Sequence, residues 1–263
     1  MASLTSHLAS SIAPLASNDA LVLQGVTRAF GALKAIDDVS LTVAAGERRA
    51  VLGSNGAGKT TLFNCITGDL PATSGSIKFF GEDITLLPPY ERIRRGLRRT
   101  YQISLLFKEL SVKDNLFLAV RGVNPGRFSF KRTAFSHTSE VAAKDLLDRV
   151  RLSHVADTQV AMLSHGQQRQ LEIGMALAGA PRFILFDEPA AGLSPAERRE
   201  LVVLLNALPK HMSYIIIEHD LDIALKVVDL VTVMHNGKVI KDGTPSEIEN
   251  DEQVQAIYMG GKH

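Results

Sequence analysis

The chain has 263 residues, 45% apolar and 22% charged, with 29 Lys+Arg against 28 Asp+Glu for a net charge of +1. That balance suits one large globular domain or two small ones and excludes a largely disordered chain, and near-neutrality removes any composition-level case for nucleic acid as a partner. A single cysteine, Cys65, excludes an internal disulfide framework and a cysteine-based zinc site, so a reducing compartment is the default.

Residues 1–20 read as a flexible N-terminal tail. Met1 to Asn18 carries no Lys or Arg, and Ser and Thr residues interrupt the apolar run that a secretory signal needs. No stretch approaches the ~20 apolar residues that span a bilayer. If the protein works at a membrane, something else must hold it there.

The first strand is expected over Leu21 to Val26. A second lies near Val39 to Val43, where Val39, Leu41 and Val43 alternate with Ser40 and Thr42. A third, Arg49 to Leu52, runs into a glycine-rich loop, and a helix from Lys59 to about Thr67 should close at Gly68. From about Pro88 to His165 the pattern is mainly helical. Ser111 and Asp114 have capping-box spacing ahead of an apolar-periodic segment to Val120. Arg121 to Ser139 reads as an irregular insertion, and Val141, Leu146, Leu147 and Val150 mark another helix. Arg92, Arg94, Arg95, Arg98 and Arg99 read as a solvated helical face partly paired with acids such as Glu91.

A helix should run from Gly166 to about Ala178. Phe183 to Phe186 is wholly apolar, as expected of a strand covered on both faces of a parallel sheet. Helix Pro195 to Leu208, strand Tyr214 to Ile217 and helix Asp220 to Val228 then alternate, the pattern of an α/β sheet with right-handed crossovers. Val231 to Ile240 reads as a hairpin about Asn236-Gly237, and Thr244-Pro245 with Glu247 opens a last short helix.

Two segments carry chemistry. Gly53-Ser54-Asn55-Gly56-Ala57-Gly58-Lys59-Thr60 fits G-x-x-x-x-G-K-[ST] without a mismatch, between an expected strand and an expected helix. Its glycines let backbone N–H groups converge on phosphate oxygens, and the helix adds the positive end of its dipole. Lys59 supplies a point charge to the β and γ phosphates, while the Thr60 hydroxyl can ligate Mg²⁺. Asp187 and Glu188 end the apolar strand, where open α/β sheets bind their ligands. Asp187 is placed to hold Mg²⁺, and Glu188 to orient or deprotonate an attacking water. Taken alone, Asp-Glu-Pro could instead cap the helix near Ser194-Pro195.

Three further segments make the chain resemble the ATP-binding cassette (ABC) ATPases. Leu163-Ser164-His165-Gly166-Gln167 is similar to their signature motif, Gln102 in Arg99-Thr100-Tyr101-Gln102 to the Q-loop glutamine, and His219 to the switch histidine. The resemblance implies a P-loop NTPase of ABC type. Its fold would be a mostly parallel core sheet with an antiparallel β subdomain and an inserted α-helical subdomain (about 103–180). These would make up an ATP-binding domain over 21–243, followed by a C-terminal extension over 244–263. It further implies ATP and Mg²⁺ as cofactors. Phe30 would lie against adenine, and Gly53 to Thr60 with Thr61 would hold one triphosphate. Ser164, His165, Gly166 and Gln167 would face the γ-phosphate bound by a second ABC ATPase subunit. Thr60, Gln102 and Asp187 would share Mg²⁺, and Glu188, His219 and Gln102 would be the catalytic groups. Two departures stand out: His165 where the signature has glycine, and Ser194 where many members have the D-loop aspartate.

Within the family, Asn55 to Thr61, Phe63 to Gly68, Arg99 to Gln102, Glu188 to Leu193 and Ala256 to Gly260 resemble the ATPase subunits of bacterial branched-chain amino acid importers. Urea and aromatic-compound importers share much of this wording. The implied partners are a second ATPase subunit, integral membrane permease subunits and, indirectly, a periplasmic solute-binding protein. The implied location is cytoplasmic, peripheral on the inner face of the bacterial cell membrane. A soluble ABC ATPase acting on nucleic acid or ribosomes would call for long coiled-coil insertions or two cassettes. This sequence has one cassette and no sustained heptad repeat.

Overall fold

The computed structural model describes residues 18–101, 106–123 and 132–259, with backbone alone at 132–137 and 257–259. In chain order it forms β1 (Asp19–Phe30), β2 (Leu33–Ala44), β3 (Arg48–Leu52), α1 (Lys59–Thr67), β4 (Ser74–Phe79), β5 (Glu82–Asp83), α2 (Pro89–Arg94) and β6 (Leu97–Arg99). There follow α3 (Val112–Val123), α4 (Arg132–Arg149), α5 (His165–Ala176), β7 (Phe183–Asp187), α6 (Pro195–Asn206), β8 (Ser213–Ile217) and α7 (Leu221–Val227). The chain ends with β9 (Leu230–His235), β10 (Lys238–Gly243), α8 (Pro245–Glu249) and α9 (Glu252–Met259).

The strands make two sheets. One is antiparallel, ordered β2-β1-β4-β5, and the other is ordered β10-β9-β3-β8-β7-β6. In the second, β6, β7, β8, β3 and β9 are mutually parallel, and β10 alone returns antiparallel on the edge. The central strands β7 and β8 are buried at every position. Period-2 alternation then divides each strand between two cores. Phe183, Leu185, Ile215 and Ile217 pack with α1 and the antiparallel sheet, while Ile184, Phe186, Tyr214 and Ile216 pack with helices α3 to α7. Three layers result, and the carboxyl ends of β3, β7 and β8 open together at one edge. No helix among the described residues is long and apolar enough to cross a membrane.

Most expected elements are present, including α1 with its left-handed Gly68 cap and the Ser111–Asp114 contact opening α3. Some expectations need correction. Strand β1 begins at Asp19, so the tail expected over 1–20 stops short of its assigned end; residues 1–17 lie outside the described residues. The stretch read as an irregular insertion over 121–139 is helical at both ends, as α3 reaches Val123 and α4 starts at Arg132. Its Ser, Thr and aromatic residues weaken a helix without breaking one; the Pro-Gly breaker at Pro125-Gly126 falls outside the described residues. Strand β6 interrupts the stretch expected to be mainly helical, pairing with β7 over only three residues.

The arginine cluster is the larger correction. Arg92 is buried and its guanidinium donates to the carbonyls of Cys65, Ile66, Thr85 and Leu87 at 2.7–2.9 Å. It thereby satisfies α1 carbonyls that have no intrahelical partner. Arg95 is paired with Glu82 and Glu91, and Arg99 with Asp187. These arginines tie elements together instead of forming one solvated face. Replacing Arg92 with Met keeps the aliphatic stem but strands four carbonyls. We expect a loss of about 3 kcal/mol or more, read as a lower urea midpoint at unchanged m-value.

Candidate active site

The loop from Gly53 to Thr60 leaves β3 at its carboxyl end and enters α1 at Lys59. Close approach dictates its glycines. A Cβ on Gly58, which has φ +100°, would meet the Ala35 carbonyl oxygen at 2.4 Å, and one on Gly53 would meet the Met234 carbonyl oxygen at 2.3 Å. The loop is thus clamped between the start of β2 and the end of β9. The cleft, about 550 Å³, is lined by Asn55 to Thr61 together with Leu33 to Ala35, Glu188, His219, Asn236 and Gly237.

Lys59 is 6% exposed, and its ammonium donates to the Gly53 and Ser54 carbonyls at 2.6 and 3.0 Å. Burial pulls its pKa below the ordinary lysine value, while the charges of Glu188 and Asp187 oppose that shift. These hydrogen bonds fold the side chain back along its own loop, toward the space that phosphates would occupy.

Glu188 follows β7 with φ +49°, a left-handed conformation that costs a non-glycine residue of order 1–3 kcal/mol. Its N–H bonds the Ile217 carbonyl at 3.0 Å, which pins the carboxylate beside the end of β8. There its Oε1 lies 2.7 Å from Nε2 of His219. A carboxylate that fixes and polarises an imidazole at the mouth of a phosphate-loop cleft can orient water and move a proton. Beneath the pair, Glu218 is 3% exposed and accepts from the backbone N–H of Ala190 at 2.7 Å. Burial lifts its pKa to about 7, and the nearby Glu188 and Asp220 charges add to the rise; N–H bonds from Ala190 and His219 hold it back.

Asp187, 2% exposed, does not line the cleft. Its Oδ2 lies 2.6 Å from Nη2 of Arg99. The donors available for a divalent cation are the exposed Thr60 hydroxyl and the remaining Asp187 oxygen. Among the described residues no group of three His, Cys, Asp or Glu could cage a metal. That set fits Mg²⁺, which keeps waters and substrate phosphates and takes few protein ligands. It does not fit a structural metal. Gln102 lies outside the described residues.

The remaining expected residues sit elsewhere. Phe30, at the end of β1, is half exposed with the Arg28 guanidinium 4.6 Å over its ring, and does not line the cleft. Nor do Ser164, His165, Gly166 and Gln167, which begin α5. Ser164 caps that helix in a full capping box with Gln167. Ser194, at the departure in the D-loop, caps α6 in the same way with Glu197, so Asp187 and Glu188 are not needed as caps. Glu197 serves both helices: its Oε1 accepts from the Gly166 N–H at 2.8 Å and the Ser164 hydroxyl at 3.2 Å, and its Oε2 from the Ser194 N–H at 2.9 Å. These bonds, those from Ser194 foremost, draw its pKa down to about 2. Sequence reasoning missed Glu197 and Arg99. The Ser-x-x-Glu spacing of Ser194 and Glu197 was a visible signal for the first; nothing local distinguished Arg99 from its neighbours.

Comparisons with known proteins identify the family. The ABC transporter family model matches residues 36–191, and the chain belongs to that family: it is an ABC ATPase. The high-affinity branched-chain amino acid transport ATP-binding protein BraF of Pseudomonas aeruginosa is 37% identical over 93% of this chain and 99% of its own length. The corresponding protein LivG of Escherichia coli is 35% identical over 93% and 99%. Among solved structures, the ADP conformation of an ATP-binding cassette of an ABC transporter superposes with a TM-score of 0.79 at 33% identity, covering 92% of this chain and 99% of that one.

Glu218 makes a pH test possible. Folding raises its pKa from 4.5 to about 7, so the native state binds this proton more tightly than the unfolded chain. The stability it contributes is complete below about pH 4.5 and is lost as pH rises through about 7. Glu218→Gln removes that titration. Urea denaturation from pH 4.5 to 7.5 should show the variant gaining about 3 kcal/mol relative to the parent. Parallel profiles would show that Glu218 does not titrate in this range.

Proposed function

We propose that this chain is the ATP-hydrolysing subunit of a membrane importer for branched-chain amino acids, docked peripherally on the inner face of a bacterial cell membrane. The Glu188–His219 pair at the mouth of the phosphate-loop cleft carries the catalytic part of this reading. The transport part rests on the two relatives whose names specify branched-chain amino acid transport.

In this reading the backbone of Gly53 to Gly58 and the N-terminus of α1 cradle the phosphates. The Lys59 ammonium leaves its loop carbonyls for the β and γ oxygens. Thr60 and Asp187 would hold Mg²⁺, with Gln102 as a further ligand, and the ion would neutralise charge on the transferring phosphoryl group. Glu188 accepts the proton of the attacking water as its oxygen bonds phosphorus and the bond to the ADP oxygen breaks. His219 keeps the Glu188 carboxylate aimed and donates toward the γ-phosphate. Positioning and charge supply the catalysis, with little covalent chemistry for the protein.

The cleft of one subunit holds none of Ser164 to Gln167. A second ATPase subunit, packed head to tail, supplies its own signature residues to complete the γ-phosphate site. Permease subunits in the membrane, fed by a periplasmic binding protein, form the rest of the transporter.

Glu188→Gln should bind ATP normally while kcat falls at least ~100-fold. The stalled protein should elute as an ATP-dependent dimer in size-exclusion chromatography. Turnover near the parent rate would take the general-base role from Glu188. Lys59→Ala should weaken ATP binding itself by ~10-fold or more, measured by equilibrium titration. For the cargo, deleting the chain from its host should abolish ATP-dependent uptake of labelled leucine, isoleucine and valine while sparing urea uptake.

A further inference from the structure

Asp187 is held from one direction by two consecutive residues. The strand β6 pairs in parallel with β7, and its last residue, Arg99, stands opposite Leu185. From there the Arg99 guanidinium reaches forward to the carboxylate of Asp187, with Nη2 2.6 Å from Oδ2. The next residue, Thr100, accepts the Asp187 backbone N–H on its hydroxyl at 3.2 Å. Its own N–H bonds the Leu185 carbonyl at 2.9 Å. Backbone and side chain of Asp187 are therefore both fastened to the end of β6.

The guanidinium is itself fixed. Its other terminal nitrogen, Nη1, lies 2.5 Å from Oδ1 of Asn64 on α1 and 3.3 Å from Oδ2 of Asp69. The Phe63 and Tyr101 rings lie 5.7 and 5.0 Å from its central carbon. Its side chain is 5% exposed and that of Asp187 2%. A planar fork held by three acceptors and two rings has little freedom left. Lysine, a point charge on a flexible stem, cannot reproduce it. The two nitrogens also join α1, the helix that opens the phosphate loop, to β7. Oδ2 is the Asp187 oxygen that this fork engages; the described residues offer no hydrogen bond to Oδ1.

We propose that Arg99 is the positioning residue of the Mg²⁺ site: by occupying Oδ2 of Asp187 and anchoring itself on Asn64, it presents Oδ1 to the ion's water shell in a fixed orientation. The inference rests on the ATPase reading of the site. It assigns Arg99 no contact with nucleotide. The guanidinium also gives the buried Asp187 carboxylate an opposite charge before any ion arrives. Partners that orient a metal ligand commonly govern affinity by ~10–100-fold without touching the metal.

The test measures binding, not turnover. A fluorescent, non-hydrolysable ATP analogue is titrated into the full chain, once with Mg²⁺ and once with EDTA, and the ratio of the two Kd values reports how strongly ion and nucleotide cooperate. Arg99→Lys should leave Kd in EDTA within about twofold of the parent and cut the Mg²⁺ enhancement roughly tenfold. Asn64→Ala removes the shorter of the two Nη1 contacts, leaving Asp69 at 3.3 Å and Asp187 paired, so it should move the ratio the same way by a smaller factor. It also keeps the proposal testable if the lysine variant does not fold. An unchanged ratio in either folded variant would overturn the proposal, as would equal weakening in both media, the mark of a merely structural role. A parent chain that binds no nucleotide in either medium would bring down the ATPase reading as well, and the EDTA arm registers that outcome separately.

Discussion

A carboxylate buried at the end of a strand with no exposed face is costly without a partner, and the site is organised around that need. Asp187 closes a strand buried at all five positions. Arg99 meets its charge from one side, and the buried Lys59 feels both Asp187 and Glu188 from the other. With Asp69 also 3.3 Å from Arg99, two cations and three anions form one network. What the cleft offers a triphosphate without other help is the loop's backbone amides and the dipole of α1. Both are permanent features of the fold and need no reorganisation on binding.

Legibility from sequence followed the range of the interactions. The phosphate loop could be read because its glycines, lysine and threonine are dictated by a contact within eight consecutive residues, and α1 with its Gly68 cap by local backbone conformation. The buried strands β7 and β8 could be read because a run of apolar residues between breakers has few other uses. Strand β4 was missed although Ser76-Ile77-Lys78-Phe79 alternates and Phe80-Gly81 follows as a turn. One of its faces is left to solvent, with only Ile77 and Phe79 buried, so only half of the signal is apolar. The arginine run was misread because charge alone cannot say whether a guanidinium faces water or a set of carbonyls. Arg92 bonds residues up to 27 positions away and Arg99 one 88 positions away, distances that no local pattern encodes. The pairing of Glu188 with His219 is equally non-local, and only the resemblance to ABC ATPases put those two residues in one site.

The two departures from the family pattern turn out to be one structural junction. His165 packs against the D-loop at Gly192, where a Cβ would lie 2.9 Å from the imidazole. Ser194, two residues further on, shares Glu197 with the start of α5. A single carboxylate therefore terminates two helices, each of which would otherwise leave N–H groups without partners. The substitutions sit together because they are parts of the same contact between the signature helix and the segment after Glu188.

The clamp on the phosphate loop sets a condition on how the protein is made. Gly53 presses on the carbonyl of Met234, and the Gly237 N–H bonds the Ala57 carbonyl at 3.0 Å. The loop from Gly53 to Thr60 is thus finished by Met234 and Gly237, which are made much later. A nascent chain on the ribosome carries the whole motif long before it owns the pocket. The β9–β10 hairpin is therefore as much a part of the pocket as the motif is, and removing it would discard the pocket while leaving every residue of the motif intact.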